Sequence, residues 1–246
     1  MDRRWVMKLS LLLVGVTIVI YSLKYLVFHN MGDTLNYIFN SLGFLPLNVL
    51  LVTIVINDLL TMRAKREKLD KLNMVIGTFF TEVGNHLIKV LSESDSGSEK
   101  FNSLLLVKNE WNDGDFARVR NFLLSYNSSA DISRIDIPKL NDFLSVKRDF
   151  LLRMLENPVL LEHESFTELL RAVFHMAEEL KCRGEFDCLP VADYDHLSGD
   201  LRRVYESIVV EWLDYMRYLK RNYPYLFSLE MRMNPFSPEA SPVIND

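Results

Sequence analysis

Residues 34–57, between Asp33 and Asp58, contain no charged side chain. A helix rises about 1.5 Å per residue, so an interval of this length crosses a hydrocarbon core of roughly 30 Å. A second apolar stretch, residues 5–28, carries only Lys8 and Lys24, one near each end, where long stems reach lipid headgroups. Trp5 on one side and Tyr21, Tyr25 and Tyr37 on the other are placed as interfacial belts. These features predict a two-helix transmembrane hairpin, with helices over about 5–28 and 37–60 and a short turn over 29–36.

A cleaved signal peptide would need a small-residue cleavage site after the first stretch, and the first alanine in the chain is Ala64. The first helix is therefore expected to be an uncleaved anchor. Arg3, Arg4 and Lys8 precede or open the hairpin, and Arg63, Lys65, Arg66, Lys68 and Lys71 follow it, while the turn has only His29 and Asp33. The positive-inside rule then puts both termini in the cytoplasm, in a multi-pass protein of the plasma membrane.

Charge is divided unevenly along the chain. Residues 1–72 hold nine Lys/Arg against five Asp/Glu, whereas the whole chain has a net charge of −5. The remainder is therefore strongly acidic, which argues against nucleic acid as its partner and suits a basic collar at an anionic membrane surface.

Within the hairpin, Asn48 and Asn57 are nine residues apart. At about 100° per residue they fall on opposite faces and cannot share a lumen. Thr53, Asn57 and Thr61, spaced by four, form the better polar membrane stripe, whose ordinary use is as glue between packed helices. Pro46 cannot donate to the carbonyl of Leu42, which predicts a local kink.

A basic collar and amphipathic connecting helix are expected over 62–92. Leu69, Leu72, Ile76, Phe79 and Val83 alternate by three and four, as in a coiled-coil seam, continuing through His86 to Val90. This is the candidate oligomer seam, although packing within the chain predicts the same pattern. Residues 93–99, acidic and Ser-rich, read as a linker.

Helical punctuation then runs through 100–233. Asp113 or Asp115 is placed to cap one helix, Asp136 with Pro138 opens another, and Ser165 with Glu168 has capping-box spacing. Lys181, Arg183 and Gly184 end that last helix, and a long helix with Leu201, Tyr205, Ile208, Trp212, Tyr215 and Leu219 on one face stops at Pro224. The fold class is thus all-α, a transmembrane hairpin (1–61) followed by a cytoplasmic helical bundle (100–233) and an irregular tail (234–246).

Chemistry is thinly represented. Glu162, His163 and Glu164 lack the second histidine of a zinc-peptidase helix, because position 167 is Thr. Cys182, Cys188 and His196 are the metal candidates, but five residues between the cysteines match no zinc-knuckle spacing. Nothing implies a cofactor: there is no glycine-rich phosphate loop, nucleophile elbow or dinucleotide fingerprint. The leading expectation is a non-enzymatic, membrane-anchored, self-associating module that presents an acidic cytoplasmic domain to a protein partner. A small homo-oligomeric channel lined by the second helix comes next, and a membrane-tethered metal-dependent enzyme third.

Overall fold

A computed structural model describes residues 3–28, 31–97, 102–186 and 188–243, which divide into two compact units, Met1–Lys65 and Arg66–Asp246. Among the described residues the fold is all-α, with one isolated β-bridge between Asp95 and Ala130.

The first unit contains helix α1 (Arg3–Phe28) and the start of α2 (Met31–Phe79), which runs on through Pro46. Among the described residues, one helix, α2 with its continuation, is by length and composition apolar enough to cross a membrane. Its large apolar side chains face outward, Phe39 at 80% exposure and Leu51 at 60%. Water is a poor solvent for such a surface and lipid a good one. The expected turn over 29–36 is corrected in part: residues 31–36 are the opening of α2, and positions 29 and 30 lie outside the described residues.

In the second unit α2 ends in a π-helical turn, Phe80–Gly84, followed by α3 (Asn85–Ser94). A π turn adds about one residue to the helical repeat, so it slips the apolar phase. Phe79 and Phe80, neighbours in sequence, are both fully buried, their rings edge to face at 5.4 Å. Beyond the turn Leu87, Ile88 and Leu91 are in the core instead of His86 and Val90. A Cβ at Gly84 would stand 2.5 Å from the Phe80 ring, so only glycine lets the two phenylalanines close over this turn.

The expected oligomer seam is corrected here. Leu72, Ile76, Phe79 and Val83 are buried in the core of their own chain, and of the five only Leu69 is exposed. The buried stripe is too wide for a two-position seam and has the width of a helix packed into a globular core.

Four longer helices follow: α4 (Asp113–Ser125), α5 (Ile137–Leu155), α6 (Glu164–Arg183) and α7 (Val191–Asn222), with the short α8 (Pro224–Arg232) after them. Helix α7 packs against α3, α4, α6 and α8, and α5 packs on α6. Asp136 caps α5 and Gly184 ends α6 at φ 69°, as their residue types dictate. Two caps differ from expectation. Asn112 rather than Asp113 or Asp115 caps α4, its side chain accepting from two backbone N–H groups while Asp115 reciprocates. His163 Nδ1, 3.3 Å from the Phe166 N–H, caps α6 in place of Ser165. Pro224, expected as a stop, also serves as the opening residue of α8, where its missing N–H costs nothing.

The acidic Ser-rich stretch differs from a solvated linker where it is described. Ser92 and Ser94 belong to α3, and Ser92, Ser94 and Asp95 are buried. Asp95 accepts from Ser129 Oγ (2.6 Å), Tyr126 Oη (2.7 Å), Gly97 N (3.0 Å) and Ser128 Oγ (3.2 Å). The tail after α8 carries no helix among its described residues, yet it is pinned. Asn234 Nδ2 donates to the Leu105 carbonyl at 2.8 Å, and Phe236 lies edge-on to Trp212 at 5.2 Å.

Burial pushes the Asp95 carboxyl upward, but the donors from Ser129, Tyr126, Gly97 and Ser128 outweigh it and hold the group below its ordinary value. A lowered folded pKa adds stability above the unfolded value of about 3.9, and that stability is lost as pH falls through the folded value. We expect Asp95→Ala to cost about 1–3 kcal/mol at neutral pH, because it strands buried donors, and to flatten the acid limb of the stability curve. Urea unfolding from pH 7 down to pH 3 checks both. Phe79→Ala is expected to cost about 3–5 kcal/mol as a core cavity, read as lost helical content on denaturation, with no intact lower oligomer formed.

Candidate functional site

The last turns of α7 and the start of α8 bring four of the chain's ten tyrosines into positions 215–225. With one face of α2 they enclose a cavity of about 510 Å³. Helix α2 contributes Glu67, Asp70, Lys71, Asn73, Met74 and Gly77, which recur at helical spacing and so share a face. Helix α7 supplies Tyr215, Tyr218 and Leu219, while Tyr223, Tyr225 and Leu226 come from its end and from α8.

Each tyrosine is held differently. Tyr215 is stacked on Phe80 at 5.4 Å and is almost buried. A Cβ at Gly77 would lie 2.5 Å from the Tyr215 hydroxyl oxygen, so the absent side chain makes room for that phenol. Burial, with a smaller effect of Glu230, pushes the Tyr215 phenol up to about 12. Tyr218 donates its hydroxyl to Asp70 Oδ1 at 2.7 Å, and burial together with that bond raises its phenol far above the ordinary value. The rings of Tyr218 and Tyr223 lie 5.8 Å apart, and those of Tyr223 and Tyr225 lie 6.4 Å apart at 87°. Tyr225 and Met74, about 70% exposed, stand at the open side. The result is a mainly apolar, aromatic hollow with carboxylates on one wall, within the volume range of small-molecule sites.

Beside it, sharing Asp70 and Tyr218, is a shallower hollow with Arg66, Arg217 and Arg221. Arg217 Nε donates to Asp113 Oδ1 at 3.0 Å and Arg221 also bonds Asp113, while Arg120 pairs with Asp214 at 2.9 Å. The Arg221 and Arg217 guanidiniums hold Asp113 below its ordinary value. The arrangement staples α4 to α7 by charge-assisted bonds.

None of the site candidates named from sequence lines this cavity, although Lys71, Tyr215 and Leu219, read there as collar and helix-face residues, do. Thr53, Asn57 and Thr61 are exposed on the first unit, and the Thr53 hydroxyl donates to the Val49 carbonyl at 2.6 Å, spent on its own helix. Cys182 and Cys188 are exposed free thiols. His196 instead meets groups from α6 and its own helix: its Nε2 is 3.7 Å from Glu179 Oε2 and 3.6 Å from Asp200 Oδ2. His175 Nε2 approaches the same Asp200 oxygen at 3.4 Å, and Arg203 donates to Oδ1 at 3.0 Å. Asp200 is the buried member, 5% exposed, so two imidazoles and an arginine surround one carboxylate between α6 and α7. Among the described residues no group of three or more His, Cys, Asp or Glu side chains is placed to hold a metal ion. The metal candidates therefore separate into two lone thiols and an ion-pair cluster.

The tyrosine cavity was not found from sequence because its residues belong to α2, α7 and α8, about 150 positions apart. The available signal was the density of tyrosine at 215–225, twice interrupted by helix-face spacing that also fits a core. We expect Gly77→Ala to cost about 1–3 kcal/mol by overpacking against Tyr215, and Tyr215→Phe to recover part of that loss. A double-mutant cycle in urea, showing non-additivity at this pair, is the check.

Residues 1–60 match the family model described as MJ1433, N-terminal helical domain, and residues 68–232 match the one described as Uncharacterized protein MJ1433, C-terminal helical domain. The division between the two matches falls where the structure divides, between Lys65 and Arg66. A curated relative, Uncharacterized protein MJ1433 of Methanocaldococcus jannaschii, is 43% identical over 239 residues, covering 97% of this chain and 96% of its own. No solved structure matches the chain. Similarity over nearly the full length of both chains, with both helical parts matched in order, makes this chain a member of the MJ1433 family.

Proposed function

We propose that the chain is a membrane-anchored recognition module. In this reading α1 and the apolar part of α2 form a two-helix transmembrane hairpin with both termini cytoplasmic, and the second unit binds a ligand or partner in the cytoplasm. The observation that carries the reading is the tyrosine-lined cavity of about 510 Å³, built on helices rather than on loops. A preformed concave site with an apolar wall and a few placed polar groups is the usual shape of a binding site. The charge-free interval at 34–57 and the basic residues flanking the hairpin support the anchoring and its orientation.

Recognition is favoured over catalysis by the chemistry of the walls. The one hydroxyl–carboxylate pair, Tyr218 with Asp70, carries a phenol raised far above its ordinary value and so a poor nucleophile. With Tyr215, a methionine and two carboxylates, the walls bind and orient a guest. Self-association through the connecting helix is no longer part of the reading, because its seam residues are spent on the chain's own core.

Two outcomes test the proposal. Alkaline phosphatase fused at Met1 or at Asp246 is expected to be inactive, since that reporter works only outside the cytoplasm; activity at either end overturns the topology. The fragment 66–243 is expected to be soluble and helical by circular dichroism, because its core residues come from within it. A fragment that remains unfolded would remove the independent binding unit.

A further inference from the structure

We infer that the tyrosine cavity is a site for a small organic cation, an ammonium or quaternary ammonium group carried on a compact apolar body. The inference rests on the reading of this cavity as a ligand site and names what enters it.

Three observations converge on that chemistry. First, the wall is aromatic on adjoining sides: the Tyr223 ring is 5.8 Å from Tyr218 and nearly perpendicular to Tyr225, so the rings form a corner and not a single stack. Ring faces carry negative potential and attract a cation placed over them, and a corner of rings offers more than one face to a single ammonium group.

Second, Glu67 and Asp70 stand one helical turn apart on the cavity face of α2, against a single lining cation, Lys71. The carboxylates supply the charge that a desolvated cation needs. On the lining an anion would meet two carboxylates against one lysine, and of the three arginines in the adjoining hollow Arg217 and Arg221 are bonded to Asp113.

Third, the Tyr218 hydroxyl donates to Asp70. A phenol that gives its proton to a carboxylate in a hydrogen bond has an electron-richer ring, which strengthens the attraction of that face for positive charge. Asp70 thus acts on a bound cation both directly and through the Tyr218 ring. Apolar body and charged group are accommodated together because Met74, Leu219 and Leu226 line the same hollow. At about 510 Å³ the cavity exceeds a bare inorganic ion many times over and suits an organic one.

The test uses the full-length protein in neutral maltoside micelles and two water-soluble probes, choline and dimethylbutanol, in which a carbon replaces the choline nitrogen. Isothermal titration calorimetry is expected to show choline binding about tenfold more tightly than the neutral isostere, the size of a partly desolvated cation–π contact. Tyr225→Ala and Asp70→Asn should each weaken choline about tenfold while leaving helical content unchanged, and Asp70→Asn should leave dimethylbutanol nearly unaffected. Equal binding of the two probes, lost in Tyr225→Ala, would keep the ligand site and overturn the cation. No binding of either probe at millimolar concentration would overturn the site and the cation together. Binding of choline that survives both substitutions would place it elsewhere and also overturn the inference.

Discussion

Helix α7 has more apolar surface than any one neighbour can cover. Leu201, Tyr205, Ile208, Trp212 and Met216 are almost fully buried, and so are Val204, Val209 and Leu213 on adjoining faces. Such a helix is stable in water only when wrapped, and α3, α4, α6 and α8 do the wrapping. Everything else in the second unit follows from that demand. The π turn after α2 brings both Phe79 and Phe80 inward, the tail folds back to lay Phe236 on Trp212, and the Asp95 cluster closes the chain where α3 meets the segment before α5.

The polar interior is arranged around the same helix. Burial pushes Glu211, on α7, and Glu230, on α8, above their ordinary carboxylate range, with bonds from Ser165 and Asn85 only partly offsetting that effect. Asp95 goes the other way because four donors converge on it. The contrast follows hydrogen-bond supply against desolvation: four donors hold the Asp95 charge, whereas one side-chain donor each leaves desolvation dominant at Glu211 and Glu230. A carboxylate given enough donors keeps its charge inside a protein, and one given few holds its proton more tightly.

The cavity arises where this packing runs out. Near the end of α7 the large core aliphatics give way to tyrosines, whose hydroxyls need partners and whose rings are too long to interdigitate fully. Glycine at position 77 leaves space on the opposing helix, and Pro224 turns the chain so that Tyr223 and Tyr225 close a side. The hollow is therefore a product of helix termini meeting. That is a common origin of binding sites in helical proteins.

The helical class, the long charge-free interval, the caps at Asp136 and Gly184 and the wide amphipathic faces were legible in the residues themselves. Each depends on neighbours within one or two helical turns, so local periodicity and local hydrogen-bonding chemistry suffice. What required tertiary structure was the destination of each face. The three-four pattern from Leu69 to Val83 is equally compatible with a partner chain and with the chain's own core, since an apolar stripe specifies burial without specifying against what. The π turn, which moved the phase from Val90 to Leu91, follows from the packing of Phe79 and Phe80 against distant residues such as Phe166 and Tyr215. Ser94 and Asp95 read as solvated because their composition is polar, yet both are buried: Ser94 donates to the Leu91 carbonyl of its own helix, and Asp95 accepts from Tyr126, Ser128 and Ser129, some thirty positions away, the hydrogen bonds that water would otherwise give. The tyrosine cavity is the extreme case, since its walls meet only after α2 and α7 have packed, and no local pattern records a contact made across about 150 residues.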